Sequence, residues 1–139
     1  MSNKLYVATG ADIKVYSYET GAFVLEQTQT IDSGGSGNIS GFVSDRVAVT
    51  PANEYIYFAV QSESPKTPQL ARAPLDQNGL VQTVETLFDV PPSFDGIAIS
   101  PNGARMVLAA TDEDVVLFDI QNGVTELDRS GLSLTASSA

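Results

Sequence analysis

The chain has 139 residues and a mass of 14.7 kDa, with 7 basic against 17 acidic side chains and a formal charge of −10. One domain is its ceiling, and a hydrophobic content of 42% is enough for a buried core. Cysteine and histidine are both absent, which excludes disulfides, thiolate nucleophiles, zinc sites built on Cys or His and every Ser-His-Asp arrangement. A pI near 4.1 leaves too little positive charge to neutralise the phosphates of nucleic acid or of an anionic lipid surface.

From the N-terminus, MSNKLYVATGAD carries one lysine and a short apolar run broken by Thr9 and Gly10. It lacks the long apolar centre of a secretory signal, and no stretch reaches the roughly 20 apolar residues of a membrane span. The expected location is therefore cytoplasmic or within a virion. Period-two alternation of β-branched and aromatic residues then recurs along the chain and predicts strands, with turn signals at Thr20-Gly21, Pro51-Ala52-Asn53, Asn78-Gly79, Pro101-Asn102-Gly103 and Asn122-Gly123. In order, strands are expected at 4–9, 12–18 and 22–31, then at 46–50, 54–60, 69–75 and 80–89, then at 96–100, 105–111, 114–120 and 124–129. Between these groups run the polar stretches 32–45 and 90–95. Many short, evenly spaced strands point to an all-β sandwich, barrel or propeller.

Self-similarity separates these architectures. ATGADIKVYSYETGA at 8–22 lies over ATDEDVVLFDIQNGV at 110–124 with an offset of 102, and RVAVTPANEYIYFAV at 46–60 lies over GIAISPNGARMVLAA at 96–110 with an offset of 50. LDQNG at 75–79 matches DIQNG at 119–123, which gives the middle unit extra residues around 62–69. Each unit reads as four strands, A to D, with B the most apolar. The first unit begins at strand B, and SGLSLTASSA at 130–139 lies over DGIAISPNGA at 95–104, with Leu132 and Leu134 in place of Ile97 and Ile99.

The strings VTPANEYIYFAV, ISPNGARMVLAATDEDVVLFDIQNG and LYVATGADIKVYSYETG resemble the repeats of WD-repeat-like and YVTN/lactonase-type β-propellers. In those repeats a Ser-Pro-Asn/Asp-Gly turn precedes an "xxYVA" strand and an "I-x-V-[YF]-[DS]" strand follows. The chain has no tryptophan and no Gly-His pair, so it departs from the WD pattern, and its length allows only three blades. The resemblance implies one all-β domain of three four-stranded blades: 4–31, 46–89 and 96–129, the first completed by a C-terminal strand A at 130–139.

Propellers close with about four to eight blades, so a three-bladed chain is expected to pair with a second copy as a six-bladed homodimer. Each chain would lend residues 130–139 to its neighbour's first blade. Leu132 and Leu134 would act with Leu5 and Val7 as the assembly residues. The loops expected on one face hold Asp12, Asp45, Asp95, Asp112 and Asp114, a candidate cation or partner-binding surface, since hard cations such as calcium favour carboxylate oxygens. For Asp45 and Asp95 the simpler account is an Asx-type turn that launches strand A and bonds its own backbone. No catalytic residues can be named and no other cofactor is expected. The leading expectation is a non-catalytic, self-assembling scaffold that binds proteins of a larger assembly, for example a viral decoration or tail component, with no nucleic-acid or membrane partner. The alternative is a lactonase-like or sugar-binding propeller with a cation at the channel mouth.

Overall fold

Alternating apolar residues pair side by side in the computed structural model, which describes residues 4–31, 39–63, 66–90, 94–110 and 114–131. Three strands come first: β1 (Lys4–Thr9), β2 (Asp12–Ser17) and β3 (Val24–Thr30). The next four are β4 (Ile39–Val49), β5 (Tyr55–Glu63), β6 (Lys66–Pro74) and β7 (Glu85–Asp89). The last four are β8 (Phe94–Ile99), β9 (Arg105–Ala110), β10 (Asp114–Asp119) and β11 (Thr125–Gly131). They form one three-stranded and two four-stranded sheets, each an antiparallel meander in chain order. The sheets lie beside one another, with β4 against both β1 and β8. This is an arc of three β-propeller blades. Among the described residues no helix is long and apolar enough to cross a membrane.

The alternation decides which side of each sheet is buried. In β5 the residues Ile56, Phe58 and Val60 face blade 1, where they pack with Ile13, Val15 and Ile31. Tyr57 and Ala59 face the other way and pack with Met106, Leu108, Val116 and Phe118 of blade 3. Blade 2 is thus covered on both faces, and the run Ile56–Val60 is buried throughout because it serves two cores at once. Each end blade contributes one face.

Two turns repeat almost atom for atom. Thr50 Oγ1 accepts from the backbone N–H groups of Glu54 (3.0 Å) and Tyr55 (3.1 Å), and Ser100 Oγ accepts from Arg105 N–H at 3.0 Å. In both turns the fourth residue, Asn53 or Gly103, donates to the hydroxyl residue's carbonyl at 2.9 Å and has φ of 58° or 74°. The Thr/Ser-Pro-x-Asn/Gly signature read from the sequence is therefore a left-handed turn that needs Asn or Gly at its last position.

Several expectations are corrected by the strand pairing. The polar stretch 32–45 is shorter than a loop of that length, because β4 begins at Ile39. Ile39 and Phe42 pack on the first core, and two register shifts accommodate the intervening residues. Asp45 and Asp95 lie within β4 and β8, not in loops ahead of strand A. Strand D of blade 2 starts at Glu85 instead of residue 80, since Asp76 and Gln82 organise the preceding segment as a turn closed by the Leu75–Val81 bridge. Ser130 and Gly131, expected in an exchanged strand, pair with Val115 and Asp114 as the end of β11. Leu132 and Leu134 lie outside the described residues.

The long C–D turn of blade 2 reaches across to blade 1. Gln27 accepts from Val81 N–H at 2.8 Å and donates to the Val81 carbonyl at 2.9 Å, while the Tyr6 hydroxyl donates to the Gly79 carbonyl at 2.7 Å. Val81 is 2% exposed, so losing Gln27 leaves two buried backbone groups without partners. Gln27→Leu is expected to lower the unfolding free energy by about 1–3 kcal/mol, read from the shift of the urea midpoint at unchanged m-value. A shift within experimental error would show that the clamp carries no stability.

Candidate functional site

A cleft of about 350 Å³ lies between blades 2 and 3, at the end of the arc where the A–B and C–D turns emerge. Thr50, Tyr55, Tyr57 and Arg72 line it from blade 2, and Asn102 and Gln121 from blade 3. The loops proposed from sequence as a binding face belong to the opposite, D–A and B–C end. Both hydroxyl-Pro turns contribute to its lining, through Thr50 and Pro51 in blade 2 and Asn102 and Gly103 in blade 3. Gly103 suits its place in the turn through its φ of +74°, the conformation that Asn53 adopts at the equivalent position of blade 2.

Arg72 dominates the chemistry. It is held by β6 opposite Tyr57 of β5, with Cζ 4.1 Å from the centroid of the Tyr55 ring. Its Nε donates to Glu85 Oε2 at 2.7 Å and its Nη1 to the Tyr57 hydroxyl at 3.3 Å. The side chain is 16% exposed and Glu85 is 51% exposed, so the ion pair faces water at its carboxylate end. Burial alone would lower the guanidinium pKa, but the hydrogen bonds to Glu85 and Tyr57 outweigh it and raise it. Burial raises the Tyr57 pKa despite Arg72, so the phenol stays protonated at neutral pH. A guanidinium has five N–H donors. Three on Arg72 have no partner among the described residues, and they belong to a plane fixed by an aromatic ring, a phenol and a carboxylate.

This residue was missed because it departs from the repeat rather than matching it. The pairing Tyr57–Arg72 corresponds to Tyr6–Val15 in blade 1 and Val107–Leu117 in blade 3. A lone arginine in a strand position that is apolar in both other units was the available signal.

The proposed acidic surface is only partly described. Asp12 opens β2, and its Oδ1 accepts from Thr30 Oγ1 at 3.1 Å. Asp114 opens β10 and pairs with Gly131. Asp45 and Asp95 are placed by their backbones alone, and Asp112 lies outside the described residues. Among the described residues no group of three or more carboxylates is placed to hold a metal ion. Leu5 is 41% exposed, and Val7 lies on the same side of blade 1, away from the core.

No protein-family model matches the chain, and neither does any curated protein. Solved structures do. A protein from Lactobacillus plantarum superposes with a TM-score of 0.66 at 15% identity, over 91% of this chain and 38% of the other. A putative 6-phosphogluconolactonase from Bacteroides uniformis ATCC 8492 gives a TM-score of 0.66 at 17% identity, over 94% of this chain and 38% of the other. The fold is that of lactonase-type propellers. The chain spans well under half the length of these neighbours. This likeness overturns the expectation of a non-catalytic structural scaffold from a viral particle, because the fold neighbours favour the lactonase-like or sugar-binding alternative.

Proposed function

We infer that the chain is a lactonase-type propeller unit that binds a sugar acid or its lactone in the cleft between blades 2 and 3. The observation that carries this reading is Arg72: a guanidinium largely withdrawn from water, oriented by three neighbours, with open donors in a cleft of small-molecule size. A fixed planar fork matches a carboxylate or phosphate in a way that a mobile lysine does not. Thr50, Tyr57, Asn102 and Gln121 add the short polar side chains that hydroxyl groups of a sugar chain require. The fold neighbour described as a putative 6-phosphogluconolactonase supports the same ligand class.

Gluconate and sorbitol test the reading, since they share one carbon skeleton and differ at the carboxylate. Titration of the isotopically labelled chain is expected to move the amide resonances of Gly103, Gln121 and Gly123 with gluconate, and at least tenfold more weakly with sorbitol. Glucose 6-phosphate, added in parallel, separates phosphate from carboxylate recognition. Cleft resonances unmoved by all three ligands at tens of millimolar would refute a sugar-binding role.

A further inference from the structure

Six large hydrophobic side chains stand exposed among the described residues: Leu5, Tyr18, Phe23, Val24, Leu25 and Leu127. All six belong to the end blades and none to blade 2. The pattern follows from the repeat. In blade 3, Val107 pairs with Leu117 and Ala109 with Val115 on the side turned away from blade 2. The same strand positions are Tyr57, Ala59 and Leu70 in blade 2 and Ile13 and Val15 in blade 1, all buried against the following blade. At the other end, Leu5 with Tyr16 and Val7 with Lys14 occupy the positions that Ile56 with Ala73 and Phe58 with Ala71 fill in blade 2, where they are buried against the preceding blade. The molecule therefore carries, on opposite ends, the two halves of an interface that it already makes twice internally.

Charge agrees with this shape. Lys14 sits on the open face of blade 1, beside Val7 and Thr28. Asp128 sits opposite Leu117 on the open face of blade 3, its carboxylate bonded to the backbone N–H of Arg129. Neither makes an ion pair among the described residues. We propose that the open face of blade 3 docks on the open face of blade 1 of a second copy, and the reverse, so that two chains close a ring of six blades. The contact is head to tail at each junction, and a two-fold axis makes the two junctions identical. The Tyr18–Phe23 corner, where Phe23 packs edge-on against Tyr16 at 6.0 Å, would settle on Leu117 and Leu127 of the neighbour. Within the chain, the corresponding C–D turn of blade 3 lies in the same way beside Arg72. The proposal concerns assembly and stands apart from the sugar-binding reading.

Mass measurement by light scattering or sedimentation at tens of micromolar distinguishes the outcomes. The wild-type chain is expected at twice 14.7 kDa. Leu117→Asp and Leu5→Asp each place a carboxylate on one open face without touching either internal core, and each is expected to run at the single-chain mass with an unchanged β-sheet circular dichroism spectrum. An equimolar mixture of the two variants retains one intact junction and is expected to recover dimer at higher concentration. A wild-type chain at the single-chain mass overturns the proposal, as it would if further blades of another polypeptide cover these faces. Dissociation by only one of the two variants overturns it as well, since that result describes a like-on-like contact.

Discussion

Phe58→Ala is expected to lower the unfolding free energy by about 3–5 kcal/mol, the range for deleting a fully buried aromatic ring. Phe58 is 0% exposed and occupies the centre of β5 in the first core. It also meets Phe42 edge to face, with ring centroids 5.6 Å apart at 69°, a geometry worth roughly 0.5–1.5 kcal/mol beyond its area. The surroundings cannot collapse easily into the gap, because they are strands of two different blades locked by their own ladders. Against a typical total of about 5–15 kcal/mol for a domain, the variant should be substantially unfolded on modest warming. Urea titration followed by circular dichroism measures the change. A loss under about 1 kcal/mol would mean that blades 1 and 2 do not share this core. Gln121→Ala, an exposed site at the cleft rim, serves as the control and should stay within about 0.5 kcal/mol of wild type.

The second large effect is on binding. Arg72→Gln should weaken gluconate roughly ten- to a hundredfold, the equivalent of about 1.5–3 kcal/mol for a hydrogen bond to a charged group. The same change should cost little stability, because Glu85 is half-exposed and such ion pairs are worth about 0–1 kcal/mol. Arg72→Lys separates charge from geometry: it keeps the positive charge and loses the planar fork, so intermediate affinity is expected. Calorimetric or resonance titration of the three proteins gives the ranking. Equal affinity of wild type and Arg72→Gln would remove Arg72 from the site.

Much of the architecture could be read from residues alone. The alternation in YIYFAV and VVLFDI, and the hydroxyl-Pro turns at Thr50 and Ser100, act over a few residues and carry their physics locally. Register between distant units was less accessible. The offset of 102 laid Ala8 over Ala110, whereas the ladders pair Ala8 with Ile13 and Ala109 with Val115, which makes Ala8 the counterpart of Ala109. One residue fewer in the first hairpin causes this, and a shift of one turns every side chain of a strand to the other face. The alternation therefore placed β1 and set Leu5 and Val7 on its outer side, while the matching of its residues to those of blade 3 was off by one. The cleft was hidden for a different reason. Its walls come from Arg72 and from Asn102, Gln121 and Gly103, residues far apart in the chain that meet only through the packing of two blades. The acidic residues, by contrast, stood out through charge, which on a chain of net charge −10 does not by itself mark a site.

Because one wall of the cleft belongs to blade 2 and the other to blade 3, whatever occupies it touches two bodies that are otherwise joined by apolar packing. A guest there acts as a rivet. It favours the docked arrangement by RT ln(1 + [L]/Kd), about 2.7 kcal/mol at a hundredfold excess over Kd, and so ties the melting of the last blade to the supply of its ligand.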